Sequence, residues 1–230
     1  MLKAILVAIL CLHAGGAGAQ SGLSEQERRW LRAGAEVLDY ARAAKLPLDI
    51  IVQPQAAPGA VPLALGFSAG RCKLVLTLRG NPQAEDILAP LPPAGRALMI
   101  EAMTAHELGH CWRYVHGDWH ALPAGFVEAG AAPAAGRALS DDARTQRDTR
   151  REEAYADLLA LAWVRLRHPA QYAQVYDWLG RVRGAGPLAG ASHDTRAWLS
   201  LVKDGIGFGP GATPFDQAGA LWRRGLIWDK

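Results

Sequence analysis

Residues 94–115 contain no proline and are apolar on most sides when they are drawn as a helix. A helix that is apolar nearly all round is normally buried. The pattern therefore predicts one long buried helix. Polar residues on such a helix need partners, because an isolated polar group costs free energy when it is buried.

The polar residues of this stretch include the pattern H-E-x-x-H at residues 106–110, which read His-Glu-Leu-Gly-His. On a helix, His106 and His110 lie one turn apart on the same face, so their imidazoles can bind a single metal ion. Glu107 lies beside them and can act as general base toward a water on that metal. The pattern predicts a zinc-dependent peptidase. A short pattern also occurs by chance, and the alternative is two core histidines bonded to carbonyl groups.

A catalytic zinc site needs a third protein ligand in addition to two histidines. His116 has the spacing of the longer motif H-E-x-x-H-x-x-G-x-x-H, but Arg113 stands where that motif has glycine. An unbroken helix would place His116 about 9 Å along the axis from His110. The other candidate is Glu153, on a second predicted helix over residues 141–167. We favour Glu153 as the third ligand.

Asp157 follows Glu153 by one helical turn and precedes a run of apolar residues, which predicts that it enters the core. A buried carboxylate is rare unless it is paired. Asp157 would be satisfied by holding the free ring nitrogen of a ligand histidine, which would also fix the tautomer of that ring. The alternative places Glu152 and Glu153 in a solvated charge cluster with the two arginines before them, but this does not explain Asp157.

The order HELGH, then E-x-x-x-D on a later helix, resembles the gluzincin metallopeptidases, such as thermolysin and the CAAX-type proteases. The resemblance covers residues 97–116 and 150–165, and the long transmembrane helices of the CAAX-type enzymes are absent from it. It is consistent with an α+β, mostly helical zincin with a small N-terminal sheet packed on the HExxH helix. The resemblance also implies that zinc is bound by His106, His110 and Glu153. It implies further that Glu107 is the general base and that Asp157 orients His106.

Gluzincins generally carry a downstream His, Tyr or Arg that stabilises the oxyanion of the reaction, because developing charge rewards a preplaced donor. Residues 191–196 read Ala-Ser-His-Asp-Thr-Arg and resemble the corresponding segment of the CAAX-type group. This resemblance makes His193 a candidate catalytic residue and Arg196 a candidate oxyanion support. Alternatively, Ser192 or Asp194 caps the following helix and His193 is a surface residue. Further alternatives for the donor are Tyr155, Tyr172 and Tyr176.

The N-terminus has the features of a secretory signal peptide. Lys3 precedes an apolar run over residues 4–12, and the small residues 17–19 suit cleavage after Ala19. The run is too short to span a membrane. We therefore expect a signal peptide over residues 1–19, one domain over residues 20–230, and a secreted or periplasmic location.

The nearly balanced charge of the chain predicts that it does not bind nucleic acid. The formal net charge is +3, of which Lys3 contributes one, and there is no basic run of the nucleic-acid-binding type. The expected partner is a peptide or protein substrate.

Two cysteines, Cys72 and Cys111, remain after the expected cleavage. An even pair in an oxidising compartment predicts a disulfide between them. Two buried free thiols are the alternative.

Short strands separated by proline and glycine are predicted before the HExxH helix. By resemblance to zincins, residues 73–78 would be the edge strand that holds the substrate backbone. Residues 122–137 predict a loop, and the segment 122–148 has either a substrate-shaping or an incidental role. The predicted strands are residues 49–53, 63–68 and 72–79, and the further predicted helices are residues 24–45, 169–182, 195–203 and 214–224.

These observations predict a secreted zinc peptidase that uses Glu107 as general base. The alternative is a non-catalytic zinc-binding protein or a latent enzyme of the same fold. A purely structural zinc site has no use for a base beside its ligands, so the presence of Glu107 favours the peptidase.

Overall fold

The structure is a computed structural model that describes residues 22–126, 140–184 and 191–229. These residues form a mostly helical α+β fold with one small sheet, as predicted. The expected signal peptide and most of the loop over residues 122–137 lie outside the described residues. In chain order the elements are α1 (Glu25–Ala33), α2 (Ala35–Ala43), β1 (Leu48–Val52), β2 (Leu63–Ser68), β3 (Arg71–Leu76), α3 (Gln83–Asp86), α4 (Pro93–Val115), α5 (Asp141–Arg167), α6 (Tyr172–Gly184), α7 (Arg196–Leu199) and α8 (Pro214–Gly225).

The helix predicted over residues 24–45 is divided into α1 and α2 at Gly34. Its predicted start is confirmed, because Ser24 and Glu27 form a capping box. The division accompanies a close approach to α4. A Cβ atom at position 34 would lie only 2.7 Å from Oγ1 of Thr104, so glycine allows the two helices to touch here.

The sheet has the order β1-β3-β2, with β3 parallel to β1 and antiparallel to β2. The prediction that residues 73–78 form an edge strand is therefore wrong, since β3 is the central strand. A two-residue turn explains the pairing of β2 with β3. Ala69 and Gly70 both have positive φ, at 50° and 71°, as a type I′ hairpin turn requires. This places β2 at one edge of the sheet.

The predicted buried helix is α4, and α5 packs along it with the predicted bounds of residues 141–167. Gly109 allows the closest approach between them, because a Cβ atom there would lie 2.8 Å from Cα of Ala156. The sheet is joined to α4 by a disulfide between Cys72 of β3 and Cys111, both of which are fully buried. These contacts fix the helix that carries the HExxH motif on two sides.

The charged residues before Glu153 are buried, so the solvated charge cluster considered from the sequence is not formed. Glu152 is 1% exposed and accepts two hydrogen bonds from the guanidinium of Arg113, at 2.9 and 2.8 Å. Arg150 and Arg151 both bind the carboxylate of Asp229, near the end of the chain.

The predicted C-terminal helices form with small changes. Residues 169–171 make a 3₁₀ turn before α6, and residues 200–202 make another after α7. Within the described ranges, no helix combines the length and the apolar character needed to cross a membrane.

Candidate metal centre

Three side chains from α4 and α5 converge on one point. Nε2 of His106 lies 3.1 Å from Nε2 of His110, and Oε2 and Oε1 of Glu153 lie 3.5 Å from these two nitrogens respectively. Ligands of a tetrahedral zinc ion at about 2.0–2.1 Å lie about 3.3–3.4 Å from one another. The three donors therefore have the separation that one zinc ion requires. Among the described residues, these three side chains form a group that could hold a metal ion.

Asp157 lies beneath His106 and is fully buried. Its Oδ1 accepts hydrogen bonds from Nδ1 of His106 at 2.9 Å and from Nη2 of Arg183 at 2.7 Å. Its Oδ2 accepts from Nε of Arg183 at 2.8 Å and from Oγ1 of Thr195 at 2.6 Å. Four donors thus satisfy a carboxylate that offers about four acceptor positions. This arrangement matches the prediction that Asp157 holds a histidine of the cluster.

Arg183 also donates to the candidate ligand Glu153, with Nη2 3.0 Å from Oε2. Sequence reasoning missed both Arg183 and Thr195. A predicted buried carboxylate indicates that some cation must compensate it, but Arg183 is at the end of α6, where basic residues are ordinarily solvated. No local pattern distinguishes it from its exposed neighbour Arg181.

The electrostatics of the cluster keep two carboxyl groups ionised. Burial alone would raise the pKa of Glu153, but His110, His106 and Arg183 outweigh it and hold this pKa at about 2. Burial likewise opposes ionisation of Asp157, whose pKa is nevertheless lowered by Arg183 and His106. Burial would lower the pKa of His106, and the carboxylates of Asp157 and Glu153 raise it instead.

Glu107 faces the same cavity as the three donors. Burial raises the pKa of its carboxyl group, and the nearby histidines His106 and His110 partly oppose this effect. A carboxylate with a raised pKa binds a proton more readily than an exposed glutamate does. The carboxyl group of Glu107 thus lies beside the cluster, in surroundings that favour its neutral form.

The two histidines of the cluster differ in how their second ring nitrogen is held. Nδ1 of His106 is bound by Asp157, whereas Nδ1 of His110 is buried and has no hydrogen-bond partner among the described residues. An unsatisfied buried polar group costs about 1–3 kcal/mol. The indole of Trp119 packs edge-on against the His110 ring, with centroids 5.6 Å apart.

The structure places His193, but not Arg196, beside the cluster. Nε2 of His193 lies 3.7 Å from Oε1 of Glu153, and its side chain is 61% exposed at the rim of the cavity. Arg196 is bound by Asp194 at 2.7 and 2.8 Å and does not line the cavity. The guanidinium of Arg196 is thus held by Asp194 rather than directed into the cavity, and its role as an oxyanion support stays a prediction without support from this geometry.

The remaining candidates from the sequence also lie outside the cluster. His116 ends α4, is exposed, and has Nδ1 2.8 Å from the carbonyl oxygen of Trp112. The hydroxyl groups of three tyrosines donate to backbone carbonyls and do not line the cavity; these are Tyr155, Tyr172 and Tyr176.

The cluster opens into a cavity of about 740 Å³. One wall is the outer edge of β2. Since Thr77 N donates to Pro62 O, the alternation of an antiparallel ladder directs the backbone groups of Leu63 and Leu65 away from β3. Both residues line the cavity. Much of the remaining lining is apolar, with Ile87, Met103, Ala160, Val175, Trp178 and Leu179.

No protein-family model, curated protein or solved structure matches this chain. The resemblance to gluzincins therefore remains confined to the two motif segments.

Proposed function

We propose that this protein is a zinc-dependent peptidase of the gluzincin type. The observation that carries the proposal is the convergence of His106, His110 and Glu153 at 3.1–3.5 Å beside Glu107, at the wall of an open cavity. A structural zinc site is closed by four protein ligands, whereas a catalytic site has three and leaves one position for water. The three donors found here favour the catalytic type.

The charge of the cluster supports a divalent cation. Glu153 and Asp157, whose pKa values are lowered, contribute two negative charges, and Arg183 contributes one positive charge. With the histidines neutral, as metal ligands must be, the sum is −1 while Glu107 is protonated and −2 once Glu107 is ionised, and a bound cation would balance this excess. Uncompensated buried charge is costly, so this excess favours a bound cation.

Each residue then has a defined task. Bound zinc would polarise the scissile carbonyl and lower the pKa of the attacking water. Glu107 would accept the proton of that water and deliver it to the leaving amine. Asp157 holds Nδ1 of His106, which directs Nε2 of this ring at the cluster. His193 lies where its ring can donate to the developing oxyanion.

The cavity suits an extended peptide. The outward backbone groups of Leu63 and Leu65 on β2 can pair with a substrate strand, in the role that the resemblance to zincins implied for residues 73–78. The apolar part of the lining would accept an apolar side chain of the substrate. A secreted location is part of the proposal, and the disulfide between Cys72 and Cys111 is consistent with an oxidising compartment.

The decisive experiment compares Glu107→Gln with the wild type. Hydrolysis of an unstructured protein by the zinc-loaded wild type should fall by at least about 100-fold in the variant, since general-base catalysis contributes about 10²–10⁴-fold. The zinc content should not change. Glu36→Gln, at an exposed ion pair with Arg167, is the matched control and should retain full activity.

Two results would contradict the proposal. Equal hydrolysis by the wild type and Glu107→Gln would remove Glu107 from the mechanism. A wild type that binds zinc and cleaves no peptide bond would leave a non-catalytic zinc-binding protein.

A further inference from the structure

His110 is held differently from its partner in the cluster. Ligand histidines ordinarily donate their second ring nitrogen to a carboxylate or carbonyl, which fixes the orientation of the ring. His106 follows this rule through Asp157, but Nδ1 of His110 has no such partner among the described residues. The χ2 torsion of histidine has broad, roughly two-fold preferences, so the ring needs another restraint to present Nε2 rather than Nδ1.

The indole of Trp119 supplies a contact that can act as this restraint. It meets the His110 ring at an interplanar angle of 71°, and it lines the cavity. The indole is itself fixed, because it stacks on Tyr114 with centroids 3.8 Å apart and an angle of 10°. Tyr114 in turn stacks on Phe67 of β2 at 4.9 Å. Trp119 therefore belongs to an aromatic row that extends from the sheet to the cluster.

The loop that carries Trp119 is anchored to both helices of the cluster. Oε1 of Glu152, on α5, accepts a hydrogen bond from the backbone N of His120 at 2.8 Å. Arg113, on α4, binds Glu152 and also donates to the carbonyl oxygen of Ala121 at 3.1 Å. Arg113 and Glu152 are 5% and 1% exposed, so this anchor is shielded from water. The position of the indole is thus tied to the two helices that carry the three donors.

We propose that Trp119 is a positioning residue that fixes the ring of His110 for metal binding. The inference rests on the proposed zinc site. Packing against the indole replaces the hydrogen bond that Nδ1 of His110 lacks, and it favours the ring orientation in which Nε2 faces Glu153. Trp119 acts through His110 and offers no ligand atom to the metal itself.

The test measures metal binding by the full chain without reference to activity. Trp119→Leu removes the aromatic contact, and Trp119→Phe retains an aromatic ring. Trp112→Leu is the matched control. Trp112 lies in α4 and also stacks on an aromatic ring, that of Phe215, but neither residue lines the cavity. The zinc dissociation constant is measured by competition with a chromophoric chelator. The visible absorption spectrum of the Co²⁺-substituted protein reports the ligand geometry.

Trp119→Leu should raise the zinc dissociation constant by about 10- to 100-fold, as loss of a group that orients a ligand does. It should also shift the Co²⁺ bands. Trp119→Phe should give an intermediate constant, and Trp112→Leu should match the wild type in both measurements. An unchanged constant and spectrum in Trp119→Leu would overturn the proposal.

If Trp119→Leu does not fold, Trp119→Phe decides the question, since an unchanged zinc constant in that variant also overturns the proposal. A wild type that binds neither zinc nor Co²⁺ would instead refute the proposed metal site. The failure of the two proposals can therefore be distinguished.

Discussion

Nδ1 of His106 donates a hydrogen bond to Oδ1 of Asp157 over 2.9 Å, and the carboxylate that accepts it is completely buried. An ionised carboxylate can only accept, so the proton of the neutral ring is on Nδ1. The lone pair of Nε2 then points at His110 and Glu153. This single contact fixes the tautomer of a buried histidine and leaves its Nε2 free to bind a metal ion in the proposed site.

Asp157→Asn should weaken zinc binding by about 10- to 100-fold, because the neutral amide no longer favours the Nδ1–H tautomer of His106. The zinc dissociation constant, determined by chelator competition, measures this effect. Asp177→Asn, at an exposed position on α6, is the control and should bind zinc as the wild type does. Identical constants for the two variants would show that Asp157 does not orient the ring.

Arg183→Gln should destabilise the metal-free protein by about 3–5 kcal/mol, the usual cost of removing one partner from a buried ion pair. The reason is that Asp157 and Glu153 both lose their guanidinium partner. Chemical denaturation of the metal-free forms measures the difference. Arg181→Gln, on the exposed side of α6, should change stability by less than about 0.5 kcal/mol. If both variants unfold alike, Arg183 does not compensate the cluster.

Glu153→Ala should abolish stoichiometric zinc binding, whereas His116→Ala should leave it intact. Glu153 supplies the third donor at 3.5 Å from both imidazoles, while His116 binds the carbonyl of Trp112 at the end of α4. Metal analysis after dialysis gives the stoichiometry. The reverse result would restore His116 as the third ligand.

Glu27 should make the stability of the fold depend on acidic pH. Hydrogen bonding to Arg79 holds the pKa of this carboxyl below its ordinary value of 4.5, although burial opposes the shift. Because the pKa is lower in the folded state, the stabilisation is present above about pH 4.5 and is lost as the pH falls through the folded-state pKa.

Thermal unfolding from neutral to acidic pH measures this contribution. The wild type should be more stable than Glu27→Gln at neutral pH, and the difference should shrink on acidification. Glu85→Gln, at an exposed ion pair with Arg29, should show little difference at any pH. A gap between wild type and Glu27→Gln that does not depend on pH would argue against ionic stabilisation by this pair.

The sequence by itself determined the parts of the cluster that depend on helical periodicity. The spacing of His106 and His110, and that of Glu153 and Asp157, places each pair on one helix face whatever the surroundings are. The same local logic gave the bounds of α5, whose N-cap is Ser140. These features depend on neighbours within one turn, so the residues that encode them are adjacent in the sequence.

The tertiary structure alone decided which distant groups complete the cluster. Arg183 and Thr195 reach Asp157 from 26 and 38 residues away, and nothing in their local sequence marks them for burial. The position of β3 in the centre of the sheet and the burial of Glu152 against Arg113 were likewise set by packing. The physical reason is that a buried charge requires some partner of opposite charge, but the fold determines which residue is near enough to serve.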